Sequence, residues 1–311
     1  MRTVLSVAGV IFSTLFLAGC DVEDFGSSER YKEEFHYTLK GADRLSVENS
    51  NGEIEIAGWD EPGIEVTGTR YASTQDMLDS VKVEIHESSG VAEIRTVHPT
   101  TFHGNQGARY FIRAPKNTVV DRIVSSNGAV RVHDMTSSAR VHTSNGAIRL
   151  ENVTGGADAE TSNGAIELDS VGGRLNLHTS NGRIRAEEIS GACEAETSNG
   201  PVTLRFRNGP DGPTRVHTSN GAVEVSMAKS PKNGVRVETS NGSIALELPG
   251  DVSARVNAET SGSSISSDFD VPSVDREKHH LEGNIGAGGP LIELSTHNGG
   301  IHLRKGLAGA N

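Results

Sequence analysis

The chain has 311 residues, a formal net charge of −12 at pH 7, 4% aromatic residues and two cysteines. An acidic balance with no concentrated basic face argues against nucleic acid as a partner and disfavours direct electrostatic adsorption to anionic lipid. With Cys20 and Cys193 the only cysteines, no disulfide framework is expected, and stability has to come from packing.

The chain opens with Met1-Arg-Thr and an apolar run from Val4 to Ala18, ending in Leu17-Ala18-Gly19-Cys20. The run is too short for a comfortable membrane span and reads as a cleaved export signal over residues 1–19. Leu-Ala-Gly-Cys resembles the lipobox of bacterial lipoproteins, in which the cysteine, here Cys20, becomes the lipidated first residue. Residues 20–33 then read as a short acidic tether, and Asp21 after the cysteine resembles an inner-membrane retention signal of enterobacterial lipoproteins.

Residues 34–120 are β-rich but irregular, and we read them as a cap with opening strands. Leu45, Val47, Ile54 and Ile56 fall on alternating apolar beats around Asn51-Gly52, and Gly63 to Tyr71 forms another strand. Residues 76–80 suit a short helix, 81–85 and 91–94 a hairpin, 100–106 a loop, and Tyr110 to Pro115 leads into the repeats.

From there the phrase Ser/Thr-Ser-Asn-Gly recurs. Its asparagines are Asn127, Asn145, Asn163, Asn181 and Asn199, 18 residues apart, then Asn220 and Asn241, 21 apart. A fixed period of this length is the signature of a solenoid. Within one repeat Ala139, Val141 and Thr143 alternate with Arg140 and His142, and Ile148 and Leu150 alternate with Ala147 and Arg149. Two short strands per repeat follow, with a Gly-rich turn such as Thr154-Gly155-Gly156 supplying positive φ at the corner.

Stacking the repeats gives inward columns of small aliphatic residues, Val141-Ala159-Leu177-Ala195-Val216-Val237 among them. A narrow core of this kind agrees with the scarcity of aromatic rings. The fold class expected is all-β, a right-handed, single-stranded parallel β-helix of 18–21 residues per coil over residues 121–311, closed by a loop at 266–290. Parity places the asparagine column inward, as a ladder of stacked amides. Cys193 falls in an inward column and reads as a small hydrophobe.

The outward column before each threonine is His142, Glu160, His178, Glu196, His217, Glu238. Alternating imidazole and carboxylate avoids like-charge stacking and pins register. Each pair supplies only two ligands, short of the three or four a tight zinc site needs, so no metal or other cofactor is expected. The flanking columns, Arg140 to Arg236 and Arg131 to Glu224, also mix signs and read as solvated faces. No coil concentrates paired carboxylates or a Ser-His-acid set, so no catalytic residue is assigned. Two places break the period: 205–213, where the first three-residue expansion falls, and 266–289, with His279, His280 and Glu282. Insertions in solenoids map to loops on one face, often a binding face.

Val47-Glu-Asn-Ser-Asn-Gly-Glu-Ile-Glu-Ile-Ala-Gly-Trp59, the repeated Thr-Ser-Asn-Gly, and Gly283-Asn-Ile-Gly-Ala-Gly-Gly289 before Ile292-Glu-Leu-Ser-Thr-His-Asn-Gly-Gly-Ile301 resemble the bacterial "putative adhesin" family of β-strand-repeat proteins of unknown function. The resemblance covers nearly all of residues 40–305. It implies a β-helix and a cell-envelope setting, and no active site. The expectation is a non-enzymatic lipid-anchored envelope protein whose β-helix offers an adhesin-like binding or scaffolding surface. Its partner would be an envelope protein or glycan, and its membrane contact the lipid on Cys20. A regulatory partner of an envelope system and a carbohydrate-active β-helix enzyme are the alternatives.

Overall fold

The computed structural model describes residues 29–97, 105–276 and 278–306. The expected signal, Cys20 and most of the tether lie outside the described residues, as does most of the expected loop at 100–106. Two long sheets, of 13 and 14 strands, face each other, and each coil contributes one strand to each. Thus Ala139–Thr143 pairs in parallel with Ala157–Thr161 in one sheet, and Ile148–Val153 with Ile166–Asp169 in the other.

The register reproduces the columns expected from alternation. Val141 lies beside Ala159, then Leu177, Ala195, Val216 and Val237, all at most 2% exposed. Large and small side chains alternate from Val141 to Val216, so the Leu177 methyls fill space left by its alanine neighbours. Burying one such side chain contributes roughly 1.5–3 kcal/mol. Cys193 is buried in the same sheet, and burial pushes its thiol up to about 12.

The Thr-Ser-Asn-Gly phrase has a distinct reason at each position. Thr161 is 1% exposed; its Oγ1 donates to the Gly146 carbonyl of the preceding coil at 3.0 Å and accepts from Gly164 N at 3.2 Å. The glycine is required by close approach: a Cβ on Gly164 would lie 1.8 Å from the Gly146 oxygen. At the opposite corner the backbone does turn left-handed, at Gly156 (φ +109°) and Gly191 (φ +97°). So do Asp134, Asn152, Ser170 and Glu188, with φ between 51° and 60°.

The asparagines correct the expected parity. The ladder forms, with Asn163 Nδ2 donating to Asn145 Oδ1 at 2.7 Å and Asn181 Nδ2 to Asn163 Oδ1 at 2.8 Å, but its side chains are exposed, not inward. Alternation stops at the threonine where the strand ends. The bend that follows turns the asparagine out, and Thr Oγ1 and the Gly backbone take the inward places.

The ends also differ from the expectation. The N-terminal elements are β1 (Tyr31–Leu39), β2 (Arg44–Asn49), β3 (Ile54–Trp59), β4 (Ile64–Ala72), α1 (Gln75–Ser80), β5 (Lys82–Ser88), β6 (Val91–Val97) and β7 (Gln106–Pro115). β2 and β3 stack directly on the strands Val119–Ser125 and Val130–Met135, and β6 and β7 stack on β2 and β3. Residues 34–120 therefore contain coils of the solenoid itself, and the solenoid does not begin at 121. β1 starts at Tyr31, within the segment read as tether, and is held by its pairing with β4 and by Phe35 and Leu39, which pack partly buried against the core. α1 is capped by Thr74, whose side chain accepts from Met77 N.

At the other end the coil Leu291–Thr296/Ile301–Lys305 inserts between Val235–Thr239/Ile244–Leu248 and Ala254–Thr260/Ile265–Ser267. Residues 266–290 are not simply a loop: Ser273–Arg276 and His280–Ile285 form an antiparallel pair that closes the sheet. At both ends, then, order in space departs from order in sequence.

Candidate binding surfaces

The outward ladder is in register from His142 through Glu160, His178, Glu196 and His217 to Glu238. Its members associate in pairs: His142–Glu160 at 3.2 Å, His178–Glu196 at 3.6 Å and His217–Glu238 at 3.8 Å. All six are exposed or half-exposed, so each pair contributes little to stability and mainly sets register. Among the described residues no group of three or more His, Cys, Asp or Glu is placed to hold a metal ion.

The ladder runs further than alternation alone revealed. Glu238 lies beside Ser295, Ser295 beside Glu259, and Glu259 beside His280, with His280 Nδ1 3.4 Å from Glu259. The signal was the out-of-order insertion of 291–305, which sequence spacing does not show. The small Ser295 opens a shallow concavity of about 480 Å³, rimmed by His217, Glu238, Glu259, His279, His280 and His297. The asparagine ladder likewise extends at both ends, from Asn127 to Asn51 and from Asn241 to Asn298.

The flanking columns form networks of exposed charge. Arg140 lies 3.3 Å from Asp158, which also accepts from Asn176 at 3.1 Å. On the opposite sheet Arg183 and Arg149 converge on Glu167; the Arg183 hydrogen bond holds its carboxyl below the usual range. His133 and Asn152 do the same for Asp134. Ser266 Oγ lies 2.7 Å from His302 Nδ1 on the surface, but a serine nucleophile needs a third group to orient the base.

The insertion at 205–213 stacks on the next expanded coil, with Asp211 3.2 Å from Lys232 and Gly209 and Pro210 buried. Together they make one ridge along a corner. The N-terminal end has a different character. Beyond Pro115 the chain contains only Phe206 and Phe269 as aromatic residues, whereas Phe35 packs on Tyr110 at 5.5 Å and Tyr37 at 5.9 Å between ring centroids. Arg113 lies over Trp59 and Arg109 over Tyr71. Burial pushes the Tyr110 hydroxyl up to about 12, beside Thr96. An open concavity of about 590 Å³ lies on the outer face here, between Glu34, His36, Glu53, Glu55 and Phe111.

Set beside known proteins, the chain matches the family model described as Toastrack DUF4097 over residues 36–304. Solved structures similar to it include a "putative adhesin" from Parabacteroides distasonis ATCC 8503 (9% identity, 88% of this chain and 98% of that one, TM-score 0.45). Another is a "putative adhesin" from Bacteroides fragilis NCTC 9343 (8% identity, 89% and 98%, TM-score 0.41). A third is a "putative lipid binding protein" from Parabacteroides distasonis ATCC 8503 (8% identity, 88% and 97%, TM-score 0.39). No curated protein sequence matches significantly.

Proposed function

The chain belongs to the Toastrack DUF4097 family, and from that premise we propose that it is a non-enzymatic, lipid-anchored protein of the bacterial envelope whose solenoid serves as a rigid binding or scaffolding surface. The observation that supports this reading is the continuity of the outward columns. Charged and amide side chains repeat at the strand spacing of about 4.8 Å from Asn51 to Asn298, over a core with no break between coils. A stiff face of this kind suits a long, repetitive partner better than a small substrate, and its concavities are shallow.

The anchor is the lipid on Cys20. With β1 beginning at Tyr31, the eleven intervening steps span roughly 36–40 Å at most, so the N-terminal end is held near the membrane. In a Gram-negative cell Asp21 favours the periplasmic side of the inner membrane, with the outer membrane as the alternative. A regulatory partner of an envelope protein system is a second reading, favoured by the 205–213 ridge, which breaks the repeat at one place.

The test is crosslinking of the anchored protein in its own cells, with Cys20→Ala as control. The reading expects Cys20→Ala to leave the membrane fraction, and expects a glycan or protein to be captured along the His/Glu face. Capture of one protein, lost when 205–213 is shortened, would favour the regulatory reading. Wild-type chain in the soluble fraction would remove the anchor.

A further inference from the structure

The two ends of the solenoid expose unequal sheet edges. At the C-terminal end the edge strands are Ile265–Ser267 and Ser273–Arg276, three and four residues long. At the N-terminal end they are β1, nine residues, and β5, seven. β1 pairs with β4 along its whole length, Tyr31 with Ala72 through Leu39 with Ile64, and among the described residues no strand lies on its other side. A free edge of that length is a row of unpaired N–H and C=O groups ready to accept another strand. Among the described residues, three of the four exposed large apolar side chains, Tyr31 (42%), Tyr37 (39%) and Phe111 (39%), lie at this same end.

We propose that β1 pairs antiparallel with β1 of a second copy about a twofold axis through Phe35, joining two solenoids head to head. The argument is self-complementarity. In that register Glu34 lies opposite His36 of the other copy, and His36 opposite Glu34, giving two acid–imidazole pairs on one face. On the other face Tyr31 lies opposite Leu39 twice, Phe35 meets itself, and Tyr37 lies opposite Glu33. No like charges are opposed.

Neighbouring registers lose these features. Centring on Glu34 sets that carboxylate against itself and Lys32 against His36. Centring on His36 opposes two imidazoles and leaves Glu34 facing Thr38. Cross-strand pairs of this kind set register.

β5 carries the same device, Glu84-Ile85-His86, at the middle of Lys82–Ser88. β1 lies two strands beyond β7 and β5 one beyond β6, so β1 makes the contact. In the pair the two β5 edges stand about 14 Å apart, three strand spacings, so Glu84 and His86 do not meet their mates.

The experiment is sedimentation of the full chain in mild detergent, with three variants. Glu34→Lys and His36→Glu should each weaken the dimer about tenfold or more, and the double variant Glu34→Lys/His36→Glu, which sets lysine against glutamate, should restore it. The melting temperature of Glu34→Lys, read in parallel, should hardly change, since its side chain is exposed; His36 lies 3.5 Å from Glu65 of its own chain, so His36→Glu should melt slightly lower. In a separate arm Phe35→Cys should form an intermolecular disulfide far faster than Asp60→Cys. A wild-type chain that stays monomeric to roughly 100 µM, whether or not it then binds vesicles or another protein, overturns the proposal. So does a dimer that ignores both single charge variants.

Discussion

In the coils between Ala139 and Leu248 every strand has a parallel neighbour on each side, Phe206 is the one aromatic ring in the core among the described residues, and one residue pattern serves each rung. At the N-terminal end the strands turn antiparallel, rings replace methyl groups, and side-chain ion pairs such as Arg70–Glu33 and Arg109–Glu29 (both 2.5 Å) hold the surface. The difference follows from what each region must satisfy. A middle coil has only to match its neighbours, so uniform spacing and small side chains suffice. An end has no next coil, and bulky rings close the core where stacking cannot.

That contrast breaks most sharply at the glycine column. Gly164→Ala in the middle would set a Cβ 1.8 Å from the Gly146 oxygen and 2.5 Å from its carbon. Backbone on both sides cannot give way without unstacking the coils. The expected loss is about 4 kcal/mol or more, the range reserved for a named steric conflict. Gly250→Ala, with nothing within 4 Å of its Cβ, should change stability by less than about 0.5 kcal/mol. Denaturant melts of the two variants decide it; equal midpoints would mean that coil spacing is elastic.

Next in size is the aliphatic column. Leu177→Ala would put a third small methyl between Ala159 and Ala195, its neighbours by register, and leave a cavity worth roughly 2–5 kcal/mol. Val83→Ala at the N-terminal end should cost about 1 kcal/mol or less, because Val83 is only partly buried. If the two losses match, the end is packed as tightly as the middle.

These columns were legible in the sequence because alternation states which face a residue takes, and periodicity states which residue it stacks upon. Both rules hold wherever coils follow one another in order, as at Val141 and Ile148. They fail at the ends for a physical reason. Alternation cannot tell that the strand at Leu291 goes back between two earlier coils, so spacing alone ends the ladder at Glu238. They fail also at Asn145, where the strand has already ended at Thr143 and parity carries no information through a bend. The edge role of β1 was hidden because a strand's sequence does not say what lies beside it.

Alkaline titration separates the two regions by pH. Cys193, in the middle, and Tyr110, at the end, are both pushed up to about 12 by burial. Each is an acid whose folded pKa exceeds its unfolded value, so the unfolded chain loses its proton first and stability falls as pH rises. Loss should begin near pH 9 through Cys193 and near pH 10 through Tyr110, and end near 12 for both. Cys193→Ala, the residue found at the equivalent position 157, should delay the onset by about one pH unit. An unchanged onset would mean that the thiol is not what the unfolded state titrates first.

The smallest effect tests the ladder that runs from middle to end. Each asparagine in mid-column both donates and accepts: Asn163 donates to Asn145 at 2.7 Å and accepts from Asn181 at 2.8 Å. Asn298 donates to Asn241 at 2.8 Å, and the coil stacked beyond it carries Gly262 where an asparagine would continue the column. Because the ladder faces water, losing a bond costs less than a buried amide would, on the order of 0.5 kcal/mol each. Asn163→Ala should therefore lower stability by about 1 kcal/mol and Asn298→Ala by about half that. The distinction from burial is direct: an inward amide would have made Asn163→Ala cost roughly 1–3 kcal/mol through its stranded neighbours. A loss at Asn163 no larger than at Asn298 would reduce the ladder to a consequence of coil spacing and leave Thr161, with its paired bonds to Gly146 and Gly164, as the polar group that fixes one coil on the next.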